Sequence, residues 1–225
     1  MDKKENLEPG RAQEYANLAF EFGTLRFLPR MHGQTLLASD PRDTIAAHTS
    51  RVVFLTLLIA TEEGLNIGKA LSMAVLHDLP ETRTGDHNWV AKKYIVIDEE
   101  RIMKDQVGSI PFLKTIMEEY SHVNGEKKRE IPEAQAVKDA DQIDQLLLLH
   151  EHARAGNVEA EYWLLRYYSK ELFLPKLYRE TSRSIATAIF ETTPTNWWKK
   201  HWTNQNRSME DLIKGDVLQN PQGDW

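Results

Sequence analysis

The chain has 225 residues, enough for one substantial core and short for two, and its 41% hydrophobic and 28% charged residues exclude a disordered or fibrous protein. It contains no cysteine, which removes disulfides, thiol nucleophiles and cysteine-ligated zinc, so any metal must sit on His, Asp or Glu. The formal charge of -6 weighs against binding along a long nucleic acid, while a small anionic substrate in a local basic pocket stays open.

Nothing in the chain reaches the roughly 18-residue apolar run of a spanning helix. The charged start Met1-Asp2-Lys3-Lys4-Glu5 is followed by no signal-peptide core. The expectation is a cytoplasmic protein without a membrane partner. Pro9-Gly10 precedes a helix over about 11–24, in which Tyr15, Leu18, Ala19 and Phe22 recur on one face. Pro29 and Gly33 then break the chain and leave Arg26 and Arg30 beside apolar residues, either as a ligand loop or as an ordinary loop with solvated arginines.

Asp43 or Thr44 can cap a helix over about 44–63, whose Val52, Val53, Leu55, Leu57, Leu58 and Ile59 make it central in a bundle. His48 lies near its start, where an imidazole is either a satisfied core residue or a ligand. Gly64 ends that helix, Asn66 begins the next, and Ala70 to Leu76 should be buried. This buried run leads into His77-Asp78-Leu79-Pro80-Glu81-Thr82-Arg83-Thr84-Gly85-Asp86. A buried helix does not end in adjacent imidazole and acid without partners for them, and a metal ion is the natural one. Four residues apart, His77 and Glu81 are expected on one helix face, with Gly85 turning Asp86 back over the helix end.

The stretch 88–108 mixes apolar residues with many charges and reads as helix. Ser109-Ile110-Pro111 opens a short helix to about 122, and Ile131-Pro132 opens a long one to about 155. The long helix carries the stripe Ala136, Val137, Ala140, Ile143, Leu146 and Leu147, interrupted by Asp139, Asp141 and Asp144. Three such carboxylates form a solvated face by default, but Asp141 lies on or beside the stripe, where a ligand pointing into a core would be. Helices over about 158–171 and from Pro175 to about 192 complete the body. The tail beyond Thr193-Pro194 places Trp197, Trp198, Trp202 and Trp225 among polar residues, which suggests packing on the body or a partner, or stacking on bases. The division is therefore 1–192 and an extension over 193–225. His150 and His152 are two apart and point to different helix faces, so they form no second metal site.

His48, His77-Asp78 and Asp141 give two imidazoles and two carboxylates from three helices, which suits one divalent cation: Co, Mn, Fe, Ni or Zn. This order resembles the HD-domain metal-dependent phosphohydrolases, whose pattern is H…HD…D on an all-α helical bundle. The block His77-Asp78-x-x-Glu81-x-x-x-Gly85-Asp86, with Lys93-Tyr94 and Val137-Lys138-x-x-Asp141, is similar to the 5'-deoxynucleotidase branch over about residues 11–190. The resemblance implies hydrolysis of nucleoside 5'-monophosphates to nucleoside and phosphate, with His48, His77, Asp78 and Asp141 as metal ligands. It makes Glu81 and Asp86 the catalytic carboxylates, and it implies a homodimer. Arg26 or Arg30 would bind the phosphate, with Lys93 a further candidate. The sequence departs from the branch at Arg30-Met31-His32-Gly33-Gln34, which lacks the Trp and the Arg-Asn pair that help select deoxyribose. The competing readings are an HD hydrolase of a ppGpp-like, deoxynucleoside triphosphate or cyclic nucleotide, and a non-catalytic nucleotide-binding module.

Overall fold

The computed structural model describes residues 7–121, 130–199 and the backbone of 203–204 and 207–208. Pro9, whose fixed φ suits a first helical turn, opens α1 (Pro9–Gly23), and a 3-10 turn (Thr24–Phe27) then buries Leu25. A short helix, α2 (His32–Leu36), follows within a stretch the sequence assigned to a loop. The Thr44 hydroxyl accepts from the Ala47 N–H and caps α3 (Ile45–Glu62). Asn66 caps α4 (Ile67–Leu76) in the same way.

Val52, Leu55 and Ile59 of α3, Met73 and Ala74 of α4, and Val137, Ala140, Ile143 and Leu146 of the 23-residue α8 (Pro132–Arg154) form the main core. Helix α3 therefore packs against both α4 and α8. By length and composition α3 could cross a bilayer, but here its apolar stripe is the centre of the bundle. Short helices surround this trio: α5 (Glu81–Thr84), α6 (Glu99–Val107), α7 (Pro111–Ser121), α9 (Val158–Arg166), α10 (Lys170–Phe173), α11 (Glu180–Phe190) and α12 (Asn196–Lys199). A second small cluster joins Leu36, Leu149, Ala160 and Trp163, so α2 is held against α8 and α9. The fold is an all-α bundle. Its only β-structure among the described residues is an isolated bridge, Pro29 to Thr44, and a two-residue antiparallel ladder, 203–204 with 207–208.

Several boundaries differ from the sequence expectation, each for a local reason. Helix α4 stops at Leu76 and α5 starts at Glu81, because Pro80 has no N–H for the Leu76 carbonyl. His77 and Glu81 are thus not on one continuous helix. Between 88 and 98 the chain is a 3-10 turn (Ala91–Lys93) and irregular backbone, and only α6 is regular helix. The last long helix begins at Glu180 rather than Pro175, which instead sits in a 3-10 turn (Leu174–Lys176).

Asp139 and Asp144 are not on a solvated face: they are 1% and 3% exposed. Asp139 accepts the Tyr178 and Arg179 backbone N–H groups at 2.9 and 2.8 Å and so pins the approach to α11. In the tail, Trp197 is 76% exposed, while Trp202 and Trp225 lie outside the described residues.

Candidate metal centre and active site

Two imidazoles converge because each is oriented by its other nitrogen. His77, the residue that closes α4, faces the Ala74 carbonyl with Nδ1 at 2.8 Å. A carbonyl can only accept, so the proton is on Nδ1 and Nε2 points into the site. On α3, the Nδ1 of His48 lies 2.6 Å from Oδ2 of Asp144, again a pure acceptor, and the second Asp144 oxygen accepts from Arg51. Asp144 is a site residue that sequence reasoning missed. A metal-binding histidine held through its far nitrogen by a carboxylate has its ring fixed in this way.

The resulting cluster is tight. The two Nε2 atoms are 3.2 Å apart, and Oδ2 of Asp78 lies 3.3 Å from His48 Nε2 and 3.1 Å from His77 Nε2. Ligands about 2.0–2.2 Å from one divalent ion are separated by roughly 3.0–3.5 Å along the edges of its coordination shell. The three side chains already stand at that spacing, so they can hold an ion. Asp141 on α8 places Oδ1 3.5 Å from His48 Nε2 and is held through Oδ2 by Lys138 Nζ at 2.7 Å. It lies beside the three-residue group rather than inside it.

Electrostatics keep the carboxylates charged. Burial raises the Asp78 pKa, but the His77 and His48 imidazoles outweigh it and the carboxyl ends well below its usual range. Asp141 is likewise pushed down, with Lys138 and His48 outweighing burial. For His48, burial favours the neutral ring, yet the Asp144 and Asp78 carboxylates lift its pKa to about 9. A metal ion and a proton thus compete for His48 Nε2.

Around the cluster lies a cavity of about 440 Å³ lined by Arg30, His32, Glu81, Asp86, Lys92, Gln145 and Trp163 among others. The backbone bridge explains the place of Arg30: Arg30 N–H donates to the Asp43 carbonyl and Ile45 N–H to the Leu28 carbonyl, tying the loop to the start of α3. Gly33 is required just beyond, since a Cβ there would lie 2.6 Å from the Ala38 carbonyl oxygen. The Arg30 side chain is only 9% exposed. Its Nη2 donates to His32 Nε2 at 2.8 Å, while its buried Nε and Nη1 have no hydrogen-bond partner.

Gly85, at φ +75, makes the turn that returns Asp86 to the cavity. Asp86 Oδ2 accepts the Met31 backbone N–H at 2.7 Å and lies 3.7 Å from Arg30 Nε. It therefore holds the arginine loop. Glu81 is different, because its buried Oε2 has no partner. Burial first, then the nearby Asp78 and Asp86 carboxylates, push its pKa up to about 9.

The remaining sequence candidates lie outside this cavity. Arg26 is exposed and stacks over Phe27 at 4.7 Å. Lys93 lies over Trp89 at 5.4 Å, and it is Lys92 that lines the cavity. Arg83 is bound by Glu21 at 2.7 Å.

The HD-domain family matches residues 22–181. No curated protein matches the chain. Among solved structures, a conserved hypothetical protein from Pyrococcus furiosus superposes with a TM-score of 0.60 at 27% identity, covering 79% of this chain and 99% of its own. A Pyrococcus horikoshii protein gives 0.59 at 26% identity, covering 78% and 98%. A coding region from Archaeoglobus fulgidus gives 0.55 at 16% identity, covering 83% and 99%, which is a likeness of fold alone. With the match spanning most of the chain, and with the His and Asp residues of the motif gathered in space, the protein belongs to the HD-domain family, which points to a metal-dependent hydrolase.

Proposed function

We propose that the chain is a phosphomonoesterase that converts nucleoside 5'-monophosphates, deoxy or ribo, to nucleoside and phosphate. The observation that carries this reading is Arg30: a buried guanidinium whose Nε and Nη1 have no hydrogen-bond partner, with Asp86 at 3.7 Å from Nε, in the same cavity as the His48, His77 and Asp78 cluster. Buried unpaired donors on a cation call for an anion with several acceptor oxygens, and a phosphate fits the planar fork.

The number of cations favours one phosphate. Of the basic residues lining the cavity, Lys138 is committed to Asp141 and Lys92 is exposed, so Arg30 is the buried one with donors to spare. A triphosphate would add charge without further buried cations to meet it. The cavity volume is in the range of small-ligand pockets.

His48, His77 and Asp78, with Asp141 beside them, would hold a divalent ion of the Mn, Fe, Co, Ni or Zn type. When bound, it supplies Lewis acidity towards water and the phosphoryl oxygens. Arg30 orients the phosphate and offsets the charge that develops on it. Asp86, fixed on Met31 N–H, positions the arginine rather than the proton. Glu81 is left as the acid: in the metal-free chain burial and the Asp78 and Asp86 carboxylates push its pKa up to about 9, and in its protonated form it can pass a proton to the departing 5'-oxygen as water attacks phosphorus in line. The P–O bond breaks, the nucleoside leaves with that proton, water supplies the new oxygen of phosphate, and of the two protons of that water one stays on phosphate and the other restores Glu81.

The test is phosphate release from mono-, di- and triphosphates, deoxy and ribo, using metal-stripped protein with single divalent ions added back and Asp78→Ala as control. Metal-dependent release from monophosphates that is lost in Asp78→Ala is the expected result. Absence of monophosphate cleavage with every ion overturns the proposal.

A further inference from the structure

The part of the cavity between α2, α8 and α9 carries polar groups that neither the metal cluster nor the phosphate site uses. Gln145 is 5% exposed, lines the cavity, and has no hydrogen-bond partner at either Nε2 or Oε1. Native interiors rarely leave both ends of an amide unpaired, so the side chain is set for a ligand that donates and accepts.

Its position defines which part of the ligand it meets. Gln145 follows Asp141 by four residues on α8, which places it on the same face and about 6 Å further along the helix axis. His32 belongs to the same wall. It stands one turn before Leu36, as Gln145 stands one turn before Leu149, and those two leucines pack together with Trp163. Because a guanidinium cannot accept, Arg30 Nη2 donates to His32 Nε2 and the imidazole proton is on Nδ1, where it too is buried without a partner.

With phosphorus at the metal cluster, a group one helical turn away meets the sugar of a 5'-nucleotide, whereas the hydrogen-bonding edge of the base lies beyond it. A hydroxyl both donates and accepts, which is the complement of an unpaired amide. We infer that Gln145 is a specificity-determining residue that recognises the substrate's sugar by hydrogen-bonding its 3'-hydroxyl through the side-chain amide. This rests on the phosphomonoesterase reading above.

The experiment compares kcat/KM for a 2'-deoxynucleoside 5'-monophosphate and its 2',3'-dideoxy counterpart, same base, in the wild-type chain and in Gln145→Met, which keeps length and apolar volume. Wild type should favour the 3'-hydroxyl substrate by about tenfold. In Gln145→Met that ratio should fall towards one, mainly through KM, with the melting temperature and metal affinity of wild type. A wild-type ratio near one, or a ratio that survives the substitution, overturns the inference.

Gln145→Leu, which also lacks a hydrogen-bonding group, provides a second variant should Gln145→Met fail to fold, and it should likewise compress the ratio. If wild type releases no phosphate from either substrate, the phosphomonoesterase reading fails by itself. Calorimetric binding of the nucleoside with and without its 3'-hydroxyl then carries the same comparison, and equal affinities or absence of binding overturns the role of Gln145.

Discussion

Asp144→Asn tests whether the metal centre depends on a residue that need not touch the metal. Asp144 gives one oxygen to His48 Nδ1 at 2.6 Å and the other to Arg51, and it is 3% exposed. Asparagine keeps the shape but offers one acceptor for two donors, so either His48 loses its partner or Arg51 loses one of its own and keeps Glu151. If the new amide N–H turns to His48, the imidazole must accept at Nδ1 and carry its proton at Nε2, facing Asp78 and His77. That tautomer cannot ligate. Loss of such a carboxylate behind a metal-binding histidine costs about 10- to 100-fold in metal affinity, or roughly 1.4 to 2.7 kcal/mol. The assay is competition for Zn²⁺ or Mn²⁺ against a chromophoric chelator, with circular dichroism to establish folding. Asp139→Asn is the control: it lies on the same helix and is 1% exposed, but it serves the backbone N–H groups of Tyr178 and Arg179. It should lower the melting temperature and leave metal affinity alone. A folded Asp144→Asn protein that binds metal within twofold of wild type would refute the orienting role.

Arg30→Met should reduce kcat/KM for phosphate release by about 10²- to 10³-fold while metal affinity stays at the wild-type value, and equal losses in both would show that Arg30 only supports the fold. Glu81→Gln should lower kcat by about 10²- to 10⁴-fold without changing metal affinity. In metal-free protein it should also change the pH dependence of melting. The unfolded Glu81 loses its proton near its ordinary pKa and the folded one only at about 9, so wild-type stability falls with rising pH between those values. Glutamine removes that loss, and the variant should melt higher than wild type at pH 8 and alike at pH 4. Glu21→Gln has the opposite sign. Arg83 above all, with Gln106 and Thr82, outweighs burial and lowers the Glu21 pKa to about 2, so its contribution is complete above its unfolded value and disappears as pH falls through 2. With the side chain a quarter exposed, solvent screening reduces that contribution to about 1 to 2 kcal/mol at pH 7. Denaturant titrations at pH 7 and pH 2.5 should show the gap between variant and wild type closing.

The helices whose starts are written locally were readable in the sequence: Thr44 and Asn66 cap α3 and α4, and Pro132 opens α8. The break between α4 and α5 was misread because the His77 and Glu81 spacing matched a helical turn, although Pro80 lies between them and cannot close that turn. The cluster of His48, His77 and Asp78 was visible as residue types in order. That Arg30 and not Arg26 lines the cavity was not, because the bridge between Pro29 and Thr44, fifteen residues apart in the chain, sets the course of that loop. Asp144 left a faint signal. Three aspartates interrupting one apolar stripe cannot all reach solvent if that stripe is the centre of the bundle, and each buried one needs a partner. Gln145 left none, since an amide on a helix is ordinary until its neighbours are known.

The three α8 aspartates show how one buried helix can carry separate duties without conflict. Asp139 satisfies backbone donors of the chain entering α11, Asp141 faces the cluster under the charge of Lys138, and Asp144 orients His48. Each carboxylate has hydrogen-bond partners where it stands, cationic ones for Asp141 and Asp144 and backbone N–H groups for Asp139, whose pKa burial still raises, which is why a helix with so many carboxylates can sit in the middle of a core. Among the described Asp, Glu, Lys and Arg side chains, the buried atoms left without a hydrogen bond belong to Arg30 and Glu81 alone. One is a cation wanting an acceptor and the other an acid held neutral by its surroundings, and both line the cavity beside the cluster. These unbonded atoms of Arg30 and Glu81 are gathered at the place where an anion and a proton transfer would use them. That grouping, more than any single motif residue, is what supports the phosphate-ester reading proposed above.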